Sequence, residues 1–181
     1  MIKPLFVAAS LAVGVAVAAY GLSISPLIAS DEQLDLNELI ATVKKEFPDV
    51  THIDTDVVAK LVSKHDGTPV QIIDVREPEE FAVSHLPGAI NIPPETEDDA
   101  LIAAVKPDQP VIVYCSVGYR SSILAQRLQA AGRTNVSNYI GSIFAWANAG
   151  QPLQSASGDA KTVHPYDRKW GRYLKPDYRS F

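Results

Sequence analysis

The chain has 181 residues, of which 46% are hydrophobic and 20% are charged, and its formal net charge is −5. This length supports one domain with its own core, and this hydrophobic content excludes bulk disorder. The acidic balance argues against nucleic-acid binding, and the single cysteine excludes both an internal disulfide and a zinc site built from paired cysteines.

The first predicted element is an uncharged apolar helix over residues 5–24, which follows Lys3. A basic residue before such a run is typical of an export signal, and Ala16-Val17-Ala18 offers a small-residue cleavage pattern. As a helix, the run is also long enough to cross the roughly 30 Å hydrocarbon core of a membrane. We therefore expect residues 1–30 to be a signal peptide or a membrane anchor. In both cases the domain is exported, either to the periplasm or held at the membrane outside the cytoplasm.

Helical and strand patterns alternate from residue 31 onward. A helical stripe over 31–47, ended by Pro48, predicts a helical lead-in that we assign to residues 31–48. Short apolar runs of the kind found in buried parallel strands follow. The predicted strands are 50–53, 70–75, 89–92, 111–114 and 136–140; the predicted helices begin near Asp54 and at 77–80, span 98–105 and 121–131, and close around 143–146. This alternation predicts an α/β fold, a parallel sheet with helices on both faces.

Residues 155–181 differ in composition from the rest of the chain. They carry six basic and three acidic side chains together with several aromatic rings, and they show neither helical nor strand periodicity. We therefore predict an extended, basic aromatic C-terminal arm. Docking of a protein partner, contact with the acidic body and contact with a membrane surface are the open functional roles. A solvated tail with a few aromatics packed on the domain is the structural alternative.

The single thiol lies at a place where α/β proteins bind ligands. Cys115 directly follows the strand 111–114, and ligands bind at the carboxyl ends of such strands. The residues that connect it to the next helix are Ser116, Val117, Gly118, Tyr119, Arg120 and Ser121. A short glycine-containing loop before a helix can turn its N–H groups inward and hold an anion. A thiol there has a depressed pKa, and the forked guanidinium of Arg120 suits an oxyanion. The pattern favours a nucleophile over an inert buried cysteine.

Four separated segments resemble a rhodanese-homology domain. They are residues 73–81, 85–93, 113–122 and 141–146. The resemblance spans about residues 50–153, and we assign 49–154 to a rhodanese-like domain. It implies a parallel five-stranded sheet flanked by helices. It also implies a cysteine that accepts sulfane sulfur as a persulfide and passes it to a thiophilic acceptor.

The resemblance assigns roles to the loop residues. Cys115 maps onto the catalytic cysteine and residues 116–120 onto the substrate cradle. Arg120 resembles the residue that binds the substrate anion, and Ser121 the hydroxyl residue that opens the helix. The six-residue loop from Cys115 to Arg120 is that of sulfurtransferases, whereas related phosphatases and arsenate reductases have one residue more. Many thiosulfate-using relatives place a basic residue where this chain has Ser116, so a persulfide or polysulfide donor fits at least as well as thiosulfate.

Two charged residues near the predicted site have two interpretations. Asp74 and Arg76 lie at the end of a neighbouring strand, so they either support the active site or form a structural ion pair. We interpret His85, beside a Pro-Gly turn, as structural. The remaining histidines, at 52, 65 and 164, lack metal-ligand spacing, so we expect neither a metal nor a cofactor.

The sequence thus predicts an enzyme, a sulfurtransferase in which Cys115 carries sulfur from an anionic or persulfide donor to a thiol or cyanide-like acceptor. The alternative is a non-catalytic module that binds persulfide or anions and recruits a protein partner through its arm. Phosphatase or arsenate-reductase chemistry is the third hypothesis, which the short loop disfavours. We expect no nucleic-acid partner, and membrane contact through residues 5–24 remains open.

Overall fold

The computed structural model describes residues 33–63 and 69–181. The predicted signal peptide or anchor at residues 1–30, with its apolar helix, lies outside the described residues, as does His65. Within the two described ranges, we find no helix with the length and apolar character that a bilayer crossing requires.

The described chain alternates between helices and strands. Its helices are α1 (Leu36–Glu46), α2 (Thr55–Ser63), α3 (Pro78–Val83), α4 (Asp98–Ala104), α5 (Tyr119–Ala130), α6 (Ser142–Asn148) and α7 (Arg168–Gly171), followed by a 3-10 turn at Pro176–Tyr178. Its strands are β1 (His52–Ile53), β2 (Gln71–Asp74), β3 (Ile90–Asn91), β4 (Val111–Tyr114), β5 (Val136–Tyr139), β6 (Leu153–Ser155) and β7 (Gly158–Ala160).

The first five strands form one parallel sheet in the order β1-β5-β4-β2-β3. β4 lies at the centre, and all of its residues are buried, as are those of β2. Asp74 and Tyr114 are register partners at the carboxyl ends of β2 and β4, so the residues that follow these strands leave the sheet at the same edge. The predicted five-stranded parallel sheet is confirmed.

The two faces of the sheet build two hydrophobic cores. Val111 and Val113 of β4 belong to one core cluster, whereas Ile112 and Tyr114 belong to the other, because side chains alternate along a strand. Buried residues of α1, α4 and α5 cover the first face. Buried residues of α2 and α6 cover the second. The predicted placement of helices on both faces is therefore confirmed.

The lead-in helix begins later than predicted. Residues 33–35 are not helical, and α1 starts at Leu36. Asp35 accepts a hydrogen bond from the N–H of Asn37 at 2.8 Å, which caps the helix. The prediction of helix from residue 31 placed the start too early because the apolar stripe alone gave no weight to this cap.

The C-terminal segment folds onto the domain, so the prediction of an extended arm is wrong. β6 and β7 form an antiparallel hairpin, and α7 and the 3-10 turn follow. Val163 and Leu174 are fully buried in the second core cluster. The sequence pattern does not reveal these elements, because each spans only three or four residues and, unlike the central strands of the sheet, none contains an apolar run.

Candidate active site

Gly118 shapes the turn between β4 and α5. It caps α5 with a φ of +111°, a backbone conformation that residues other than glycine rarely adopt. A Cβ at this position would also lie 2.9 Å from Cδ1 of Ile140 and 3.4 Å from the backbone nitrogen of Gly141. Because the helix starts at Tyr119, two residues earlier than predicted, Tyr119 and Arg120 lie in its first turn rather than in a loop.

The thiol of Cys115 lies inside this turn and is 1% exposed. Its sulfur accepts a hydrogen bond from the N–H of Gly118 at 3.1 Å. The first turn of α6 holds the other side of the loop, because the N–H groups of Ile143 and Phe144 donate to the carbonyls of Cys115 and Ser116 at 3.2 and 3.1 Å. With its carbonyls directed toward α6, the loop presents the Gly118 N–H to the sulfur.

Ser142 provides a further tie to the start of α6. Its Oγ accepts from the N–H of Cys115 at 3.1 Å and donates to the carbonyl of Tyr139 at 2.7 Å. Ser142 has a φ of +50°, which is uncommon outside glycine. The hydroxyl therefore links the ends of β4 and β5 directly behind the thiol.

The surroundings of the sulfur favour the thiolate. Burial is the largest single effect and raises the pKa of Cys115, but its neighbours together outweigh it, so the pKa lies below its ordinary value. The charge of Arg120 and hydrogen bonds from Ser121 and Gly118 lower it. The buried hydroxyl of Ser121 bonds no nitrogen or oxygen atom among the described residues, which leaves it available to the sulfur. The neighbours of the sulfur therefore favour the ionised form of Cys115 despite its burial.

Both terminal nitrogens of the Arg120 guanidinium bind one carboxylate, which belongs to a residue that we did not predict to be part of the site. Its Nη1 and Nη2 donate to Oε2 and Oε1 of Glu80 at 2.7 and 3.0 Å. Ser116 Oγ accepts from Nη2 at 3.0 Å and donates to Oε1 at 3.2 Å. Burial raises the pKa of Glu80, but Arg120, the charge of Arg76 and the backbone N–H of Glu77 together outweigh burial and keep this pKa below its usual range. Glu80 and Arg120 are 40 positions apart, so no local pattern indicates the pair.

A cavity of about 280 Å³ opens onto the thiol. It is lined by Cys115, Ser116, Val117, Tyr119, Arg120, Tyr166 and Trp170. Five of these belong to the predicted site, but Tyr166 and Trp170 come from the C-terminal segment. The ring of Tyr166 lies over the guanidinium of Arg120, with 5.2 Å between Cζ and the ring centroid. The mixture of aromatic and basic residues was visible in the sequence, but its position was not.

Asp74 and Arg76 form a buried ion pair and do not line the cavity. Arg76 Nη2 lies 2.6 Å from Oδ2 of Asp74 and also donates to the carbonyl of Ser84 at 2.6 Å. The pair ties the end of β2 to the end of α3, the helix that carries Glu80. The geometry therefore assigns both residues a structural role and leaves them apart from the thiol.

His85 also lies outside the cavity lining. Its ring stacks on Phe81 with 3.9 Å between centroids. Among residues 33–63 and 69–181, no group of three or more potential metal ligands comes together.

A comparison with known protein families finds one family that matches the part of the chain containing the cysteine loop and most of the sheet. The family model of the rhodanese-like domain matches residues 57–149, which is half of the chain. The chain belongs to the rhodanese-like domain family.

Curated relatives and solved structures agree with this family. The chain is 34% identical over 103 residues to a thiosulfate:glutathione sulfurtransferase of Saccharomyces cerevisiae, an alignment covering 50% of this chain and 73% of that protein. It is 29% identical over 109 residues to a sulfurtransferase of Allochromatium vinosum, covering 60% of this chain and 99% of that one. A solution structure of a rhodanese-like domain from Anabaena superposes with a TM-score of 0.52 at 26% identity, covering 57% of this chain and 78% of that one.

The match leaves part of the cavity outside the rhodanese-like domain. Residues 57–149 contain Cys115, the loop to Arg120, and Glu80, but neither Tyr166 nor Trp170. The C-terminal segment thus adds two aromatic side chains to the cavity of a rhodanese-like site.

Proposed function

We propose that the protein is a sulfurtransferase in which Cys115 carries sulfane sulfur as a persulfide. Relatives that are named sulfurtransferases support this activity in general. The observation that carries the proposal is the lone cysteine itself. It lies at the carboxyl end of the central strand, accepts the Gly118 N–H, and has a lowered pKa beside Arg120.

The first half-reaction loads sulfur onto the protein. The Cys115 thiolate attacks the outer sulfur of the donor, and the sulfur–sulfur bond of the donor breaks. The bonding electron pair leaves with sulfite when the donor is thiosulfate, or with a thiolate when it is an organic persulfide. The N–H groups of residues 116–121 and the hydroxyl of Ser121 stabilise the resulting persulfide anion. Of these groups, Gly118 and Ser121 already favour the resting thiolate.

The second half-reaction transfers the bound sulfur from Cys115 to an acceptor. A thiol or cyanide-like acceptor attacks the outer sulfur of the Cys115 persulfide, and the Cys115 thiolate leaves with the electron pair. The cycle has no net oxidation or reduction beyond the transfer of the sulfur atom, and it returns the protein to its starting state.

Arg120 orients the anionic part of a donor in this proposal. Its guanidinium lines the cavity, and its charge favours both the thiolate and a bound anion. The carboxylate of Glu80 already occupies two of its N–H groups and reduces the net charge. A donor anion therefore competes with Glu80 for the guanidinium, which moderates the affinity for strongly charged donors.

The intact mass of the protein tests the loading step. We expect the wild-type protein to gain one sulfur atom after incubation with thiosulfate or an organic persulfide. We expect the Cys115→Ser variant, which keeps the shape of the site, to gain none. Failure of the wild type to gain sulfur from every donor tried would contradict the proposal.

A non-catalytic module that binds a persulfide or an anion is the second candidate. It is favoured by the 1% exposure of Cys115 and by the pairing of Arg120 with Glu80, which restrict access and charge. Acceptor thiols distinguish the two candidates. An enzyme loses the Cys115 persulfide to them and reloads over many cycles, whereas a binding module keeps it.

A further inference from the structure

We infer that Tyr166 and Trp170 determine donor specificity, and that they select sulfur donors whose non-transferred part is apolar or aromatic. This inference rests on the proposed function, because it concerns the donor that reaches Cys115. It concerns side chains that lie outside the rhodanese-like match at residues 57–149.

Aromatic and aliphatic side chains make up most of the cavity wall. Three of the lining side chains are aromatic (Tyr119, Tyr166 and Trp170), and Val117 is aliphatic. Aromatic rings offer large contact areas to apolar groups and favourable contacts to sulfur. A volume of about 280 Å³ has room for a small organic group beside the sulfur.

The cavity has little net positive charge to attract a strongly charged donor. Arg120 is the only basic side chain among the lining residues. It is held by both oxygens of Glu80 and covered by the ring of Tyr166. A dianion such as thiosulfate therefore meets a guanidinium whose charge is largely balanced, and it loses hydration against apolar walls. A donor with an aromatic group instead gains contacts there.

Contacts on both sides of Tyr166 and Trp170, which we call the aromatic wall, hold these two residues in place. Val163 precedes them in the chain and Leu174 follows them, and both are fully buried. Asp167 caps α7 by accepting the N–H of Trp170 at 2.8 Å, and the N–H of Tyr166 donates to Nδ1 of His164 at 3.1 Å. Tyr166 keeps a φ of +68°, a strained conformation that surrounding structure must maintain. The two rings therefore face the cavity before any donor binds, which lowers the entropic cost of binding.

The loading step with such a donor balances without any further reagent. The Cys115 thiolate attacks the terminal sulfur of an organic thiosulfonate, R–SO₂–S⁻. The sulfur–sulfur bond breaks, the sulfinate R–SO₂⁻ leaves with the electron pair, and Cys115 retains the transferred sulfur as a persulfide.

A matched pair of donors tests the inference. Benzenethiosulfonate and methanethiosulfonate carry the same charge and the same reacting group, and they differ only in the apolar part. The measurement is kcat/KM for sulfinate release, with cyanide as acceptor, in the wild type, Tyr166→Ala and Trp170→Ala. Phe181→Ala is the control, because Phe181 is an aromatic residue of the same segment that is 74% exposed and outside the cavity lining.

We expect the wild type to prefer the benzene donor. Its preference, taken as the ratio of the two kcat/KM values, should fall about tenfold in Tyr166→Ala and in Trp170→Ala. The ratio should stay unchanged in Phe181→Ala. Dividing each variant's ratio by that of the wild type removes the intrinsic reactivity of the donors. Should Trp170→Ala unfold, Tyr166→Ala decides the outcome, because Tyr166 is 54% exposed.

An equal ratio in the wild type and in Tyr166→Ala overturns the inference. If Cys115 still gains sulfur in that case, the proposed function stands and only the assignment of the aromatic wall is wrong. If Cys115 gains sulfur from no donor, both the proposed function and the inference are overturned.

Discussion

Two opposing effects act on the thiol of Cys115. Burial disfavours its ionisation, whereas Arg120 and the hydrogen bonds from Ser121 and Gly118 favour it and prevail. The neighbours of the sulfur therefore favour a thiolate on a side chain that is only 1% exposed. Donors and acceptors would reach this thiolate through the cavity of about 280 Å³ that opens onto it.

Replacing Arg120 by Gln should raise the pKa of Cys115. The substitution removes the positive charge that favours the thiolate and leaves burial, which disfavours it, in place. Because Cys115 is the only cysteine, the ultraviolet absorbance of its thiolate can be followed against pH, with Cys115→Ser as the blank. The rise in absorbance should move to higher pH in Arg120→Gln.

Arg127→Gln is the matched control for that titration. Arg127 lies on the same helix and pairs with Asp98 on the surface, away from the cavity that contains Cys115. Its variant should titrate like the wild type. An unchanged titration in Arg120→Gln would mean that this guanidinium does not control the thiolate.

At the scale of elements, the start of α5 determines where the cysteine loop ends. Gly118 combines a positive φ with close contacts to Ile140 and Gly141. Gly132 closes the same helix and also has a positive φ, of +83°, but beyond its chain neighbours no atom of the described residues lies within 4 Å of the position of its Cβ. Alanine variants at the two positions therefore share the cost of the left-handed backbone, and only the Gly118 variant adds the cost of steric contacts.

Gly118→Ala should destabilise the protein more than Gly132→Ala. Both variants place a side chain in a left-handed conformation, at a cost of about 1 kcal/mol. Only Gly118→Ala adds a contact at 2.9 Å and displaces the N–H that donates to the sulfur. Chemical denaturation should show the difference in the free energy of unfolding, and sulfur loading should fall only in Gly118→Ala. Equal losses in the two variants would contradict the role assigned to packing around Gly118.

The sequence predicts apolar runs and local motifs, and it fails at short polar elements and at pairs of residues that are distant in the chain. The buried strand 111–114 and the cysteine that follows it show their character within ten residues, so both could be predicted. The start of α5 at Tyr119 was missed, because Gly118 rather than a hydroxyl residue caps it. The pairing of Glu80 with Arg120 and the position of Tyr166 depend on how separate segments meet, which no local pattern encodes.

At the scale of the whole molecule, the C-terminal segment completes both the core and the cavity. The N–H of Leu34 donates to the carbonyl of Arg172 at 2.7 Å, so the segment also contacts the start of the described chain. The side chain of Asn148, at the end of α6, donates to the carbonyl of Tyr173 at 2.8 Å. The basic surplus of residues 155–181 thus lies on a folded part of the domain.

Removing residues 161–181 should strongly destabilise the protein. The truncation takes two fully buried side chains, Val163 and Leu174, out of the second core cluster. At about 1.5–3 kcal/mol for each buried aliphatic side chain, the free energy of unfolding should fall by at least about 3 kcal/mol. Thermal unfolding measures the loss. Removal of the exposed Phe181 alone is the control and should cost little, and a truncated chain as stable as the wild type would contradict the packing described above.

The most direct test of the sulfur-carrier function follows one sulfur atom through the protein. Thiosulfate and benzenethiosulfonate, each with a radioactive outer sulfur, are incubated separately with the protein, excess donor is removed, and a thiol acceptor is added. We predict that the label of at least one donor first remains with the protein at Cys115 and then passes to the acceptor, and that Cys115→Ser neither retains nor transfers it. Transfer of the label to the acceptor at an undiminished rate in Cys115→Ser, or a wild-type protein that retains label from neither donor, would contradict the sulfur-carrier function.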